Sequence, residues 1–238
     1  MAAAGDPRPL GPLSAPLSLR LHAGGQDTAV NAIEKTAKVL AAVQELERQW
    51  AVTKRHPLLP AGITTINPGV MVGGTGGGHD GMPNVLTAVS TFPDYCSLEL
   101  SLKYLPSERT ADVRAEFEEY IARVAATDPW LREHPPEIEW GIRGVSFPPA
   151  ETPPDHPLLG VVDQAVEVAT GRPAIHEGFV AVTDLAWLAG VGIPGVIFGP
   201  GSAGNAHGVD EHIAVADVTE GIFALALAVC GWCGVEEA

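Results

Sequence analysis

The sequence has only three cysteines, Cys96, Cys230 and Cys233, among 238 residues. So few cysteines exclude the disulfide framework that stabilises many small secreted domains. Cys230 and Cys233 have the spacing of a redox motif, but they end an apolar helical pattern instead of following a strand. We therefore interpret all three as plain thiols.

Basic residues are also scarce, since 14 lysines and arginines stand against 29 aspartates and glutamates, a net charge of −15. An acidic chain is repelled by nucleic acid and by anionic membranes, so neither is predicted as a partner. The sequence contains no uninterrupted apolar run of about 18 residues. Its first residues lack the basic and apolar regions of a signal peptide. We predict a cytoplasmic protein.

What the chain does contain is a regular order of strand and helix patterns over residues 16–147. Apolar periodicity predicts six elements: a strand at 17–21, a helix at 28–47, strands at 63–72 and 95–105, a helix at 107–126 and a strand at 137–145. This order is typical of a ferredoxin-like (βαββαβ) domain, an antiparallel four-stranded sheet with both helices on one face. Residues 1–15 are predicted to be a disordered leader.

The remaining residues, 148–238, follow a proline-rich linker and have a different pattern. Helical stretches alternate with short apolar stretches at 174–179 and 195–198, which predicts α/β structure with few strands. Unpaired sheet edges are a liability, so we expect the rest of this sheet to be missing or supplied by something else. The predicted fold class is therefore α/β with α+β, and this segment is part of an α/β domain.

The densest group of reactive side chains lies in the glycine-rich loop 199–212. It contains His207, Asp210 and Glu211 and follows a predicted strand. Such loops are where α/β enzymes place their sites. Imidazoles and carboxylates together are typical of a metal ligand with acid–base neighbours. Asp210 and Glu211 either orient His207 or serve the dipole of the next helix, and both interpretations stay open.

Three stretches of the sequence carry a family resemblance. The first is His22-Ala23-Gly24 with 30–35, and the second is Gly73-Gly74 through Pro83 with Pro93-Asp94-Tyr95-Cys96. The third is Thr183-Asp184 with 192–201, Ala206-His207 and Asp210-Glu211. Together they resemble the zinc-dependent amidohydrolases and exopeptidases that include acetylornithine deacetylase, succinyl-diaminopimelate desuccinylase, aminoacylase and carboxypeptidase G. The resemblance covers about residues 18–235.

The resemblance implies a metal-dependent hydrolase whose catalytic domain is interrupted by a lid, or dimerisation, domain, here residues 16–147. It implies two ions of zinc or cobalt in a complete member, with His207 as the last histidine ligand. His22 is similar to the lid histidine that polarises the scissile carbonyl, often in the partner subunit's site. The resemblance also implies substrate contacts for Lys103, which stands where the family often has an arginine, and for Asn84, Gly178, Thr183 and Asp184.

Most of the family's metal ligands have no counterpart in this sequence. No His-x-Asp-x-Val motif precedes the lid, and no Glu-Glu pair stands upstream of it. One histidine cannot hold two ions that need about four ligands each. We therefore interpret the chain as a truncated member in which residues 148–238 are the C-terminal segment of the catalytic domain.

This interpretation predicts a substrate, an assembly and an activity for the chain. A complete enzyme would cleave N-acyl amino acids or short peptides with a free carboxylate, and would form a homodimer through the lid. The chain alone would have little or no hydrolase activity. Two alternatives stay open: a non-catalytic dimerisation or interaction module, and one half of a split enzyme completed by a separate N-terminal half.

Overall fold

The structure, a computed structural model, describes residues 13–23, 30–76, 82–85, 89–142, 146–201 and 208–236. The strands and helices in these ranges are, in chain order, β1 (Leu13–His22), α1 (Ala32–Thr53), β2 (Thr65–Gly74), β3 (Tyr95–Tyr104), α2 (Thr110–Ala126), α3 (Pro129–Glu133), β4 (Glu137–Trp140), α4 (Pro157–Thr170), α5 (Leu185–Gly190) and α6 (Val215–Cys233). The predicted mixture of helices and strands is confirmed.

The four strands form one antiparallel sheet in the order β2-β3-β1-β4. The alternation in β1 and β3 explains the register, because leucines of both strands face the same side. Leu19 pairs with Leu98 and Leu17 with Leu100, and all four are buried. A shift of one residue would turn these leucines to the other face.

Helices α1 and α2 cover the leucine face of the sheet. Val39 and Val43 of α1 and Phe117 and Ile121 of α2 belong to the same buried cluster as the strand leucines. Helical spacing of three or four residues puts each pair on one side of its helix. Burying each large apolar side chain contributes about 1.5–3 kcal/mol, so this layer supplies most of the stability of the first unit.

Helix α1 runs along the whole length of the sheet. Near its N-terminus, Ile33 occupies the space that a side chain at Gly73 would need, at the end of β2. Near its C-terminus, Glu47 accepts a hydrogen bond of 3.1 Å from the backbone N–H of Ile66, at the start of β2. The sheet therefore has two distinct ends, and residues after α1 leave from the end opposite His22.

Several boundaries differ from those predicted. β1 begins at Leu13, so the last three residues of the predicted leader belong to a strand, while residues 1–12 lie outside the described part. α1 begins after Asn31, whose side chain accepts hydrogen bonds from the N–H groups of Ile33 and Glu34. α3 was not predicted, because five residues are too few to show helical periodicity.

The C-terminal segment departs further from its prediction. α4 packs against α6, and the small residues Ala165, Ala224 and Ala228 are buried there. The predicted strands at 174–179 and 195–198 are wrong: both stretches are irregular, and Ile175 is 82% exposed. A strand needs a hydrogen-bonded neighbour, and the described residues of this segment provide none.

The two units meet at a small polar junction beyond the end of α1. His56 is buried, its Nδ1 accepts a hydrogen bond from Leu58 N, and its Nε2 lies 3.4 Å from Glu151 Oε1. Gly178 N donates a hydrogen bond of 2.7 Å to Leu58 O. The C-terminal segment is thus attached at the end of the sheet opposite His22.

Helix α6 leaves a large apolar surface exposed. Ile222 is 66% exposed, and Phe223, Leu225 and Val229 are each more than half exposed. By length and composition α6 is the one described helix that could cross a membrane, a test that core helices also pass. An apolar patch of this size typically marks an interaction surface.

Asp128 holds α1 and α3 together. Its carboxylate accepts hydrogen bonds from Trp130 N and Leu131 N at the start of α3 and forms ion pairs with Lys35 and Lys38 of α1. The Leu131 N–H bond and the two lysines lower the pKa of this carboxyl well below its usual value, against the opposing effect of burial. Charged Asp128 is therefore the form that the fold requires.

Two substitutions of Asp128 distinguish the contribution of helix capping to stability from that of the ion pairs. Asp128→Asn keeps a capping oxygen but loses the ion pairs, and should lower the free energy of unfolding by about 1 kcal/mol; Asp128→Ala loses both and should lower it by about 2 kcal/mol. Urea unfolding at pH 7 measures both values. Asp155→Asn, at an exposed position, is the control and should change little.

The free energy of unfolding of the same variants should depend on pH. Because the folded pKa of Asp128 is depressed, its contribution is present above the unfolded pKa of about 3.9 and is lost as the pH falls through the folded pKa. Below pH 4 the wild-type protein should therefore lose stability faster than Asp128→Asn. Parallel curves for the two proteins would contradict this role.

Candidate functional site

His22 lies at one end of the sheet. It is the last residue of β1, and its side chain is exposed. Its partner across the sheet is Tyr95, the first residue of β3, and the centroids of the two rings are 5.1 Å apart. Directly paired residues on antiparallel strands point to the same face, so the imidazole lies beside the phenol ring. A side chain at this position can reach a group beyond the end of the sheet.

Asn84 lies at the same end of the sheet as His22. β2 ends two residues before Gly76, whose N–H donates a hydrogen bond of 2.6 Å to the Asp94 carboxylate. Gly76 has a φ of +83°, and a side chain there would come within 2.9 Å of Asn84 Nδ2. Asn84 itself is exposed. The structure therefore brings two of the predicted site residues, His22 and Asn84, to one end.

Lys103 lies at the opposite end. It pairs with Thr65 at the start of β2 and lies eight positions after Tyr95 along β3. At the rise of an antiparallel strand this separation is about 27 Å. Lys103 and His22 therefore do not converge on one substrate within a single chain.

Gly178 makes a close contact that differs from the predicted one. A side chain at this position would lie 2.4 Å from Leu59 Cδ2 and 2.8 Å from Leu58 O. Only a glycine leaves room for the hydrogen bond between Gly178 N and Leu58 O. The close backbone approach thus serves the junction between the two units, and the predicted substrate contact of Gly178 stays a prediction.

Thr183 and Asp184 precede helix α5. Thr183 O accepts a hydrogen bond of 3.2 Å from Ala186 N, and Asp184 occupies the N-cap position without a capping bond from its side chain. The carboxylate of Asp184 is exposed. Helix capping therefore does not explain this aspartate, which stays a candidate for substrate contact.

A cavity of about 270 Å³ lies beside α5. Its walls are the linker residues 150–153 and the loop 192–195, joined by a hydrogen bond of 2.5 Å from Thr152 Oγ1 to Gly195 O. Most of the lining is apolar, with His156 at one side. Ligand pockets usually measure about 300–1,000 Å³, so this cavity alone does not define a substrate site.

The loop with the predicted metal ligand is only partly described. His207 lies outside the described residues. Asp210 and Glu211 are exposed and precede Ala214, the N-cap of α6, whose first turn contains Asp217 instead. The helix dipole acts most strongly within the first turn, and the interpretation that these two residues serve it stays a prediction. Their orientation of His207 stays a prediction.

Within the described ranges, no group of three or more His, Cys, Asp or Glu side chains is placed to hold a metal ion. The contacts between such residues are pairs, for example His176 with Asp163 at 2.7 Å. A structural or catalytic zinc site takes three or four protein ligands. The described residues therefore do not fit a catalytic metal by themselves.

This chain resembles known proteins in its sequence and in its fold. The sequence profile described as "Peptidase family M20/M25/M40" matches residues 42–230, most of the chain. The chain belongs to this peptidase family. Its members and the curated relatives are hydrolases.

Two curated bacterial relatives are similar over nearly the whole chain. The protein from Halalkalibacterium halodurans is 34% identical over 224 residues, 92% of this chain and 50% of the relative. The protein from Bacillus subtilis is 36% identical over 220 residues, 90% of this chain and 49% of the relative. Both are named N-formyl-4-amino-5-aminomethyl-2-methylpyrimidine deformylase. The chain thus spans about half the length of these relatives.

Solved structures agree on the fold. The Bacillus subtilis YXEP protein, titled a dinuclear metal binding peptidase from the M20 family, superposes with a TM-score of 0.55 at 13% identity. The match covers 94% of this chain and 50% of that one. At this identity the likeness concerns the fold alone.

Sequence reasoning missed two residues beside His22. Tyr95 contacts the imidazole, and Asp94 holds the turn that carries Asn84. Both belong to the stretch Pro93-Asp94-Tyr95-Cys96, which indicated only the start of a strand. The position of this stretch could have indicated the contact, since in an antiparallel pair the first residues of β3 lie opposite the last residues of β1. That pairing was visible only once the register was known.

The junction at Gly178 generates a testable prediction. Gly178→Ala should lower the free energy of unfolding by about 1–3 kcal/mol, because Leu58 O is backbone and cannot move aside as a side chain can. Hydrogen exchange should quicken in residues 174–180 while α1 stays protected.

The matched control is Gly160→Ala in α4, where nothing lies within 4 Å of the added carbon. This change should raise stability by about 0.5–1 kcal/mol, as glycine is a poor helix former. Equal effects of the two substitutions would show that Gly178 has no special contact.

Proposed function

We propose that this chain provides the lid and the C-terminal catalytic segment of a metal-dependent hydrolase that removes the formyl group from an N-formylated aminomethylpyrimidine. The observation that carries the proposal is the identity of 34% and 36% with two bacterial deformylases over nine-tenths of the chain. In the reaction, water adds to the formyl carbon and the C–N bond breaks. Formate and the free amine are the products.

The lid sequence supports a substrate without a carboxylate. Family members that bind a carboxylate often have an arginine where this chain has Lys103. Arginine binds carboxylates in a bidentate manner, whereas lysine is a point charge. A neutral aminomethylpyrimidine does not require the bidentate partner. We therefore place N-formyl heteroaromatic amines ahead of the N-acyl amino acids expected from the sequence.

We assign residues 13–142 to a ferredoxin-like lid. The strand order β2-β3-β1-β4, antiparallel throughout, supports this assignment, as does the position of α1 and α2 on one face.

We further propose that the lid forms a homodimer in which His22 acts in the partner's site. His22 lies at one end of the sheet, whereas Lys103 and the junction with the C-terminal segment lie at the other. Within one chain, His22 is therefore about 27 Å from Lys103. In a dimer, the His22 of each subunit can instead reach the site of the other subunit. There, His22 would donate a hydrogen bond to the carbonyl oxygen as charge develops on it.

The catalytic metal, zinc or cobalt, would be held by His207 together with residues that this chain does not contain. We propose that the same missing part covers the exposed face of α6 and supplies neighbours for residues 195–198. The exposure of Ile222, Phe223 and Ile197 supports this view, as does the coverage of only half of each relative. We place the assembled enzyme in the cytoplasm.

The activity test requires a complete domain. We would fuse the unmatched half of the Bacillus subtilis deformylase ahead of this chain and measure formate release with zinc or cobalt. The fusion should hydrolyse the N-formylaminomethylpyrimidine at least tenfold faster than N-acetyl or N-succinyl amino acids, while the 238-residue chain alone should be nearly inactive.

The control for this test is the same fusion with His207→Ala, which should lose more than about 100-fold in rate together with its bound metal, because a ligand is removed. Metal analysis of both fusions provides the second measurement. Faster turnover of N-acyl amino acids would contradict the proposed substrate, and full activity of His207→Ala would contradict the ligand.

Mixed dimers test the action of His22 in the partner's site. Fusions with His22→Gln or His207→Ala should each retain only a small residual activity alone. After mixing and reassociation, about a quarter of the activity should return, because half of randomly formed dimers are mixed and each has one complete site. Light scattering must show dimers throughout. Dimers without any recovery would place His22 in its own chain's site.

A further inference from the structure

Tyr95 is a buried tyrosine in contact with His22, the proposed hydrogen-bond donor, and the proposed reaction gives it no role. It lies directly across the sheet from His22 in the register of β1 and β3. The rings are 5.1 Å apart with an angle of 54° between their planes. This is a distance at which aromatic rings interact favourably, with tilted geometries preferred over face-to-face stacking.

The two rings differ sharply in their exposure to solvent. Tyr95 is 1% exposed, whereas His22 is exposed to solvent. On the other side of Tyr95, β2 contributes Gly74, and the space of its missing side chain is filled by Pro83 and by Val85 O, 2.3 Å from where a Cβ would stand. Because Tyr95 is buried, its ring has little room to move and offers the exposed imidazole a defined surface.

The hydroxyl of Tyr95 does not account for its burial. Its Oη is inaccessible to solvent and has no hydrogen-bond partner among the described residues. A buried hydroxyl without a partner destabilises a fold by about 1–3 kcal/mol. Phenylalanine would fill the same space without this cost. The contact through the ring is thus the interaction that the geometry provides.

We propose that Tyr95 is a positioning residue that restricts the His22 imidazole to orientations pointing beyond the end of the sheet. A fixed ring on one side removes rotamers of His22 that would lie back over β3. A hydrogen-bond donor that is already oriented stabilises developing charge without reorganisation during the reaction. The catalytic meaning of this role rests on the proposed function, whereas the contact itself does not.

The contact can be tested in the 238-residue chain without any activity. NMR of the wild-type protein should show nuclear Overhauser effects between the Tyr95 ring and the His22 imidazole, whose signals are assigned by comparison with His22→Gln. Tyr95→Phe should preserve these effects and the His22 chemical shifts, with an equal or higher melting temperature. Tyr95→Leu should move the His22 signals, because the ring current is removed.

Three results would overturn the proposal. The first is the absence of ring-to-ring effects in the wild-type protein, which requires no variant. The second is a Tyr95→Phe spectrum as altered at His22 as that of Tyr95→Leu, which would assign the effect to the hydroxyl. The third is unchanged His22 signals in a folded Tyr95→Leu protein. If Tyr95→Leu does not fold, Tyr95→Met takes its place, since methionine fills irregular space readily.

The fusion enzyme distinguishes a positioning role from a structural one. Tyr95→Leu should lower kcat about tenfold with little change in KM, and it should have no further effect in the His22→Gln background. Additive losses in the double variant would overturn the proposal. An inactive fusion whose NMR contacts are intact would instead count against the proposed function alone.

Discussion

The antiparallel pairing of β1 with β3 is the constraint on which the rest of this structure depends. Ten residue pairs, from Leu13 with Tyr104 to His22 with Tyr95, align the leucines that α1 and α2 cover. A slip of one residue would expose that apolar face, so the core fixes the register. The same register places a histidine at one end of the sheet and Lys103 at the other. The positions of the proposed functional groups are therefore consequences of core packing.

The C-terminal segment differs from the sheet unit, because its elements lack a covering layer among the described residues. α4 and α6 bury small alanines against each other, while the larger side chains of α6 remain exposed. A domain normally packs two or three layers around one core. The curated relatives are about twice as long as the matched region.

The sequence predicted the elements of the first unit well, but it could not predict the contacts that join the two units. Periodicity located the strands and helices of the sheet because each element repeats its own pattern at short range. It failed for residues 195–198, where an apolar run indicated a strand but the described chain has no neighbour to pair with it. Nor could it predict that Gly178 packs against Leu58 and Leu59 across the junction. Such contacts join residues more than a hundred positions apart, which no local pattern records.

By itself the sequence determined the family, the order of elements in the sheet domain and the chemical types available to a site, since these depend on residue identity and short-range spacing. Only the tertiary structure decided that His22 lies against Tyr95, that Asn84 joins them and that Lys103 does not. The physical reason is that strand register and the direction of α1 are set by the burial of a shared apolar face. That burial is a property of the whole sheet and of no single segment.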